Sequence, residues 1–386
     1  MILIPQNENE LADMVRAAAS DERSFEIVGR GTKRGLGRTV RADDVVDLSA
    51  LSGIVRYEPN ELVITARAGT RVAEIEAALA EKNQCLGFEP ADWSAFYGTT
   101  GTATIGGVLS ADASGSARLR FGAARDHLLG FAAVNGLGEI YKAGGRVVKN
   151  VTGFDLPKLF CGAMGTLGPL TEVTLRLVPR AVDCAVLAIR GVEPESGLEI
   201  LRRIWSSPLE PTGLAYIPRL AAEDMFGDVG EGISLIRIEG APAPLADKIG
   251  LLPTLLDGRE ATPLAHDNDI FARIASGAAI MHRKDDIWRA FVPPASAAAC
   301  ARKLAPAFWL ADWAGGALWL AGVDDVQAVA QSFGGHALLM RADDATRMRV
   351  SVFPLEDPVR AALTQRIKEA FDPHRLFNPD RMFEGV

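Results

Sequence analysis

The chain has 386 residues, enough for two or three folding units and for a core that needs no disulfide or metal to hold it. Hydrophobic residues make up 48% and charged residues 23%, the balance of a folded globular protein and not of a disordered one. With 41 Lys and Arg against 49 Asp and Glu, the net charge of −8 excludes the clustered cation surplus that a nucleic-acid binder needs.

The first residues, Met1 to Pro5, run straight into polar sequence and carry no secretory signal pattern. Apolar periodicity predicts a helix over 9–19, then a strand over 25–28. A loop with glycine at 29, 31, 35 and 37 follows, then a strand over 45–48, a strand over 62–66 and a helix over 72–79. A stretch of small residues runs over 98–115. A strand over 130–134, a third glycine cluster over 162–168 and a strand over 170–178 complete this part. After Arg180 glycine thins out. Strands are predicted over 184–189, 213–217 and 233–238, with helices over 195–205 and 245–256. The order comes round again with strands over 287–292, 308–313, 317–320 and 337–340, and helices over 296–304 and 326–331. Two β-α-β-β-α-like halves of this kind build one broad antiparallel sheet with helices on one face. The run 305–323 has a single charge, Asp312, but Gly315-Gly316 breaks it and Trp309, Trp313 and Trp319 suit strands. It reads as a hairpin of buried strands and not as a membrane span. A helix over 359–371 leads to a tail held by Pro373 and Pro379.

Glycine after an apolar strand permits positive φ, so that successive backbone N–H groups can turn inward on one anion. Arg30, Lys33 and Arg34 add charge to the first loop. A dinucleotide turn would need glycine where Arg34 stands, and a Walker loop would need a Gly-Lys-Ser/Thr that the chain lacks. Taken alone, the loop is equally a surface turn. The second cluster, Gly101 to Ser116, keeps small residues where a packed element would bury large ones. Such a stretch suits a long ligand lying against backbone, with Thr102, Thr104 and Ser114 offering hydroxyls.

Together these blocks resemble the flavin-binding domain of the vanillyl-alcohol oxidase superfamily (the PCMH type). The resemblance rests on the strand and loop 28–37, Ala-Thr-Ile-Gly-Gly at 103–107, and Phe121-Gly122 with Asp126. It rests also on Val148-Lys149-Asn150, on 153–156, and on Gly165-Thr166-Leu167-Gly168 before a strand. The Asp372-Pro373 and Asn378-Pro379 tail is similar to the D-lactate and glycolate dehydrogenase branch, and length and order look like its family of FAD-binding E subunits of bacterial glycolate oxidases. The resemblance implies an α+β fold. A FAD-binding domain over 1–181 (subdomains about 1–55 and 56–181) would be followed by an antiparallel cap of ferredoxin-like repeats over 182–344, and 345–386 would return to the first domain. It implies dissociable FAD, because no histidine precedes His127. Gly29, Arg30, Gly31, Thr32, Lys33 and Arg34 would cradle the pyrophosphate. Gly101, Thr104, Ile105, Gly106, Gly107, Ser110, Ser114 and Gly115 would form the second wall. Gly165, Gly168 and Leu170 would sit by the adenosine, Asn378 near the flavin ring, and Lys149 and Asn150 would also touch the flavin site.

By the same resemblance the function is that of a FAD-binding redox subunit in a glycolate or 2-hydroxy acid dehydrogenase complex. The partners would be a larger FAD-containing catalytic subunit and an iron–sulfur subunit, with a cytoplasmic location or attachment through them to the inner face of the membrane. A self-sufficient oxidoreductase for another alcohol or hydroxy acid, and a flavin-free scaffold, are the alternatives. The catalytic base stays unassigned. The five histidines, His127, His266, His282, His336 and His374, are dispersed and lack the acidic neighbours of a metal site. His336 reads as a strand-end residue sooner than a base, and Arg341, Arg347 and Arg349 could face a substrate carboxylate or line an exposed strand, the second being preferred. The four cysteines, Cys85, Cys161, Cys184 and Cys300, have no C-x-x-C spacing and read as buried or free thiols.

Overall fold

The computed structural model describes residues 1–145, 154–264, 269–354 and 357–386; Lys149, Asn150 and His266 lie outside them. The chain folds as two compact units. One comprises Met1–Ser114, Gly122–Arg180 and Asp344–Val386, the other Gly115–Phe121 and Ala181–Asp343.

The first unit begins as a small parallel sheet in which Asp44–Asp47 lies between Ile2–Leu3 and Phe25–Val28. Helix Glu8–Ser20 starts at Asn7, whose side chain accepts the Glu10 N–H and so satisfies one of the unpaired donors of the first turn. Leu11, Val15 and Ala18 follow at three- and four-residue steps and bury one face. They pack with Phe25, Val46, Leu48, Leu51 and Val134, and with Leu376 and Phe377 from the far end of the chain. A five-stranded antiparallel sheet accompanies this layer, in the order Ile54–Glu58, Val63–Arg67, Leu170–Arg176, Leu128–Val134, Ile140–Gly144. Its central strand, Leu170–Arg176, enters from Gly168, whose φ of +142° only glycine adopts readily.

The tail joins the parallel sheet. After helix Pro358–Phe371, Phe377 pairs with Phe25 in parallel, Phe25 N–H donates to the Leu376 carbonyl at 2.6 Å, and Asn378 N–H donates to the Phe25 carbonyl at 2.8 Å. Beneath it Lys368 is buried, its ammonium donating to the Thr166 carbonyl (2.7 Å), the Phe377 carbonyl (3.0 Å) and the Asp372 carboxylate (2.8 Å). Asp372 in turn accepts the N–H groups of Leu376 and Phe377.

The second unit is built on an eight-stranded antiparallel sheet. Its order is Thr262–Pro263, Asp183–Arg190, Gly232–Gly240, Gly213–Pro218, Phe308–Asp312, Ala317–Ala321, Ile287–Phe291, His336–Arg341. Each set of four strands has the 4-1-3-2 order of a ferredoxin-like βαββαβ motif. The two repeats meet edge to edge where Tyr216 pairs with Ala311. The apolar run over 305–323 is the hairpin expected from its Gly-Gly break, and among the described residues no helix is long and apolar enough to cross a membrane. Two local expectations fail. The small-residue stretch contains a helix, Ile105–Ser110, and Arg347 lies on helix Asp344–Arg349, buried, donating to the Gly37 carbonyl.

Candidate FAD site

The first unit contains an open cleft. Three stretches line it: the loop after strand Phe25–Val28, helix Ile105–Ser110, and Met164 to Leu170. Asn378 and Arg381 of the tail complete it. Of the residues singled out from sequence, Gly29, Arg30, Gly31, Thr32, Lys33, Arg34, Thr104, Gly106, Gly107, Ser110, Gly165, Gly168, Leu170 and Asn378 face this one space. Four others do not line it. Gly101 packs against the first loop, where a Cβ would lie 2.8 Å from the Arg30 carbonyl oxygen. Ile105 is core. Ser114 is buried, its hydroxyl accepting the Ala124 N–H at 2.9 Å. Gly115 belongs to the second unit, where its carbonyl accepts the Trp313 indole N–H at 3.2 Å.

The first loop is the polar side of the cleft. Gly31 has φ +70°, and among the described residues the backbone N–H groups of Arg30, Gly31, Thr32 and Lys33 find no acceptor. Four successive free donors in a turn are what an anion-binding nest requires. Lys33 is 8% exposed, and its ammonium has no hydrogen-bond partner. Burial pulls its pKa down to about 8 against the pull of Asp92. Arg34 reaches away from the cleft floor to Glu26, which it grips through Nε (2.8 Å) and Nη2.

The opposite wall is different in kind. Ile105 N–H donates to the Thr70 carbonyl, Gly106 N–H to the Ala68 carbonyl and Gly107 N–H to the Thr104 hydroxyl. The first turn of this helix therefore keeps no donor for a ligand and offers a close, uncharged surface. A Cβ on Gly106 would lie 2.8 Å from the Ala68 methyl, so this glycine is required by chain packing. Gly107 is not so confined: its Cβ would meet only the Thr104 hydroxyl, at 3.2 Å.

Asn378 braces two walls. Its Oδ1 accepts the Ile27 N–H (2.8 Å), and its Nδ2 donates to the Met164 carbonyl (2.7 Å), beside Gly165 with φ +74°. Sequence reasoning missed Arg381. It is buried, its Nη2 donates to the Lys33 carbonyl at 3.0 Å, and its Nε has no partner. The signal available was its place three residues after Asn378 in an ordered tail.

Among the described residues no histidine-centred site accompanies this cleft. His127 is buried, with Nδ1 3.1 Å from the Arg176 carbonyl oxygen. His336 opens its strand and stacks on Phe291 at 5.0 Å, and burial and Arg118 hold its pKa below the ordinary value. His282 and His374 are exposed. Cys161 and Cys300 are buried, Cys85 is half-buried and Cys184 is exposed.

A buried ammonium that lies over Trp93 and has no hydrogen-bond acceptor, beside a run of free N–H donors, fits the pyrophosphate of a long dinucleotide-like cofactor. Consistent with it, residues 1–144 match the family model described as an FAD binding domain. The fold is that of p-cresol methylhydroxylase, which superposes with a TM-score of 0.74 at 13% identity, covering 99% of this chain and 88% of that one. The class is thus a FAD-binding protein with the α+β flavoprotein fold that the sequence blocks resemble. The glycolate oxidase subunit GlcE of Escherichia coli (strain K12) is 30% identical over 381 residues, 97% of this chain and 96% of that protein. The glycolate oxidase subunit GlcD of Bacillus subtilis (strain 168) is 26% identical over 234 residues, 59% of this chain and 48% of that one. The chain belongs to the GlcE family of FAD-linked oxidoreductases.

Proposed function

We propose that the chain is the FAD-binding E-type subunit of a glycolate-oxidising complex, converting glycolate to glyoxylate together with a larger, GlcD-like flavin subunit and an iron–sulfur subunit. The observation that carries the cofactor half of this reading is the run of four free N–H groups beside the unpartnered Lys33 ammonium. The likeness to GlcE over nearly the whole chain supports the substrate and complex. In this reading Met1–Ser114, Gly122–Arg180 and Asp344–Val386 form the FAD-binding domain, and Gly115–Phe121 with Ala181–Asp343 the cap.

Gly29 to Arg34 would hold the pyrophosphate, Lys33 by charge and the loop by its N–H groups. Thr104, Gly106, Gly107 and Ser110 would flank the ribityl chain, with Ile105 and Ser114 buried behind that wall and Gly101 supporting the first loop. Gly165, Gly168 and Leu170 would face the adenosine. Asn378 would fix the separation of the Ile27 and Met164 backbones near the flavin ring. FAD bound there without a covalent link would supply two-electron acceptance from a carbon–hydrogen donor. The chain's own residues bind and orient it. The described histidines are structural or solvated, and this favours a division of labour in which the larger subunit supplies the base and the carboxylate-binding groups.

Copurification from cells that make all three subunits, followed by a dye-reduction assay with glycolate, tests the proposal. The complex should turn over, and the isolated chain should hold FAD without oxidising glycolate. Turnover by the isolated chain would refute the division of labour.

A further inference from the structure

The cofactor cleft carries more buried positive charge than the chain itself balances. Lys33 and Arg381 are buried and line the cleft together with Arg34, and Arg347 is buried outside that lining, at the Gly37 carbonyl. Glu26 is the buried carboxylate that faces this group: it pairs with Arg34 and lies 3.9 Å from Arg381. Asp92 and Asp344 reach it only from exposed positions. Arg347 is satisfied by the Gly37 carbonyl, whereas Lys33 Nζ and Arg381 Nε find no acceptor. Burial draws Arg381 down to about 10, with Glu26 opposing it and Arg347 reinforcing it. A buried cation short of acceptors is costly, and the Lys33 ammonium together with the open Nε of Arg381, whose other nitrogens face Glu26 and the Lys33 carbonyl, suits an added anion.

The tail beyond Asn378 is tied to the first loop by Arg381. Its carbonyl accepts the Arg38 N–H at 2.9 Å and its Nη2 donates to the Lys33 carbonyl. We propose that Arg381 is a direct ligand of the FAD pyrophosphate, and that cofactor binding and docking of the segment 379–386 are therefore one coupled equilibrium. This rests on the reading of the cleft as a FAD site. Without the anion, Lys33 Nζ and Arg381 Nε keep no acceptor and the segment opens more readily. With it, both cations are paired and the segment closes. By reciprocity, whatever holds the tail down tightens FAD.

Hydrogen exchange and FAD titration on the full chain test this. Saturating FAD should slow exchange in peptides covering 379–386 by about tenfold or more, and Arg381→Gln should weaken FAD by about ten- to a hundredfold and abolish that protection. Arg381→Lys should restore most of both. If Arg381→Gln melts like the wild type without cofactor yet binds FAD equally well, or if wild-type exchange over 379–386 is the same with and without FAD, the proposal is wrong. Should Arg381→Gln fail to fold, the wild-type comparison decides alone. Failure of the wild type to take up FAD at all would instead overturn the site assignment on which the proposal stands.

Discussion

Lys33 makes the cleft sensitive to pH, and the two consequences have opposite signs. Its folded pKa lies near 8, below the ordinary 10.5, so between those values the unfolded chain holds a proton that the cofactor-free fold has lost. Stability of the cofactor-free protein should therefore rise with pH across this window. FAD binding needs the charged ammonium, so the dissociation constant should climb above about pH 8, by up to roughly tenfold per pH unit. Lys33→Met should flatten both profiles; FAD titrations and chemical denaturation from pH 7 to 10 read them out. Glycine divides similarly by cause. Gly107→Val should lower the melting temperature of the cofactor-free protein less than Gly106→Val does while abolishing FAD retention, because its Cβ would meet only the Thr104 hydroxyl, at 3.2 Å, on the wall that lines the cleft. Gly106→Val should lower it more, since its Cβ would sit 2.9 Å from the Ala68 carbonyl oxygen. Equal losses of stability in the two variants would contradict this distinction. From sequence alone both glycines read as places where a ligand approaches backbone, because composition cannot tell a ligand from a neighbouring strand.

Long helices with clear caps were legible in the sequence. Glu8–Ser20 follows Asn7, and Pro194–Trp205 and Pro358–Phe371 carry proline in their first turn. Helix Ile105–Ser110 was not, because two glycines in six residues erase helix propensity and only the Thr104 cap and its packing sustain it. Nor was the docking of the tail on Phe25. That contact joins positions 351 residues apart through Ile27 and Asn378, beyond any local pattern. The device that holds it is the Lys368–Asp372 pair, whose burial makes removal of one partner severe. Lys368→Met should destabilise the first unit by about 3–5 kcal/mol, since it strands a buried carboxylate. Urea denaturation measures it, and a loss below about 1 kcal/mol would show the pair to be incidental.

At the scale of the whole chain, the recurrence of strand and helix after Arg180 pointed to two β-α-β-β-α-like halves in one broad antiparallel sheet, and the structure builds that sheet with a 4-1-3-2 strand order in each half. What sequence could not supply was the electrostatic design of the cleft. Lys33, Glu26, Arg347 and Arg381 come from distant positions and acquire meaning only when buried together. His336 is not among the residues that line the cleft, so His336→Ala should leave flavin content unchanged, as read by the absorbance ratio of purified protein. The most direct measurement is a titration of the isolated, cofactor-stripped chain with FAD, followed by tryptophan and flavin fluorescence. A saturable complex with one FAD per chain at micromolar concentration or tighter, lost in Gly107→Val, is the predicted outcome. A folded chain that stays colourless and shows no saturation would contradict the account.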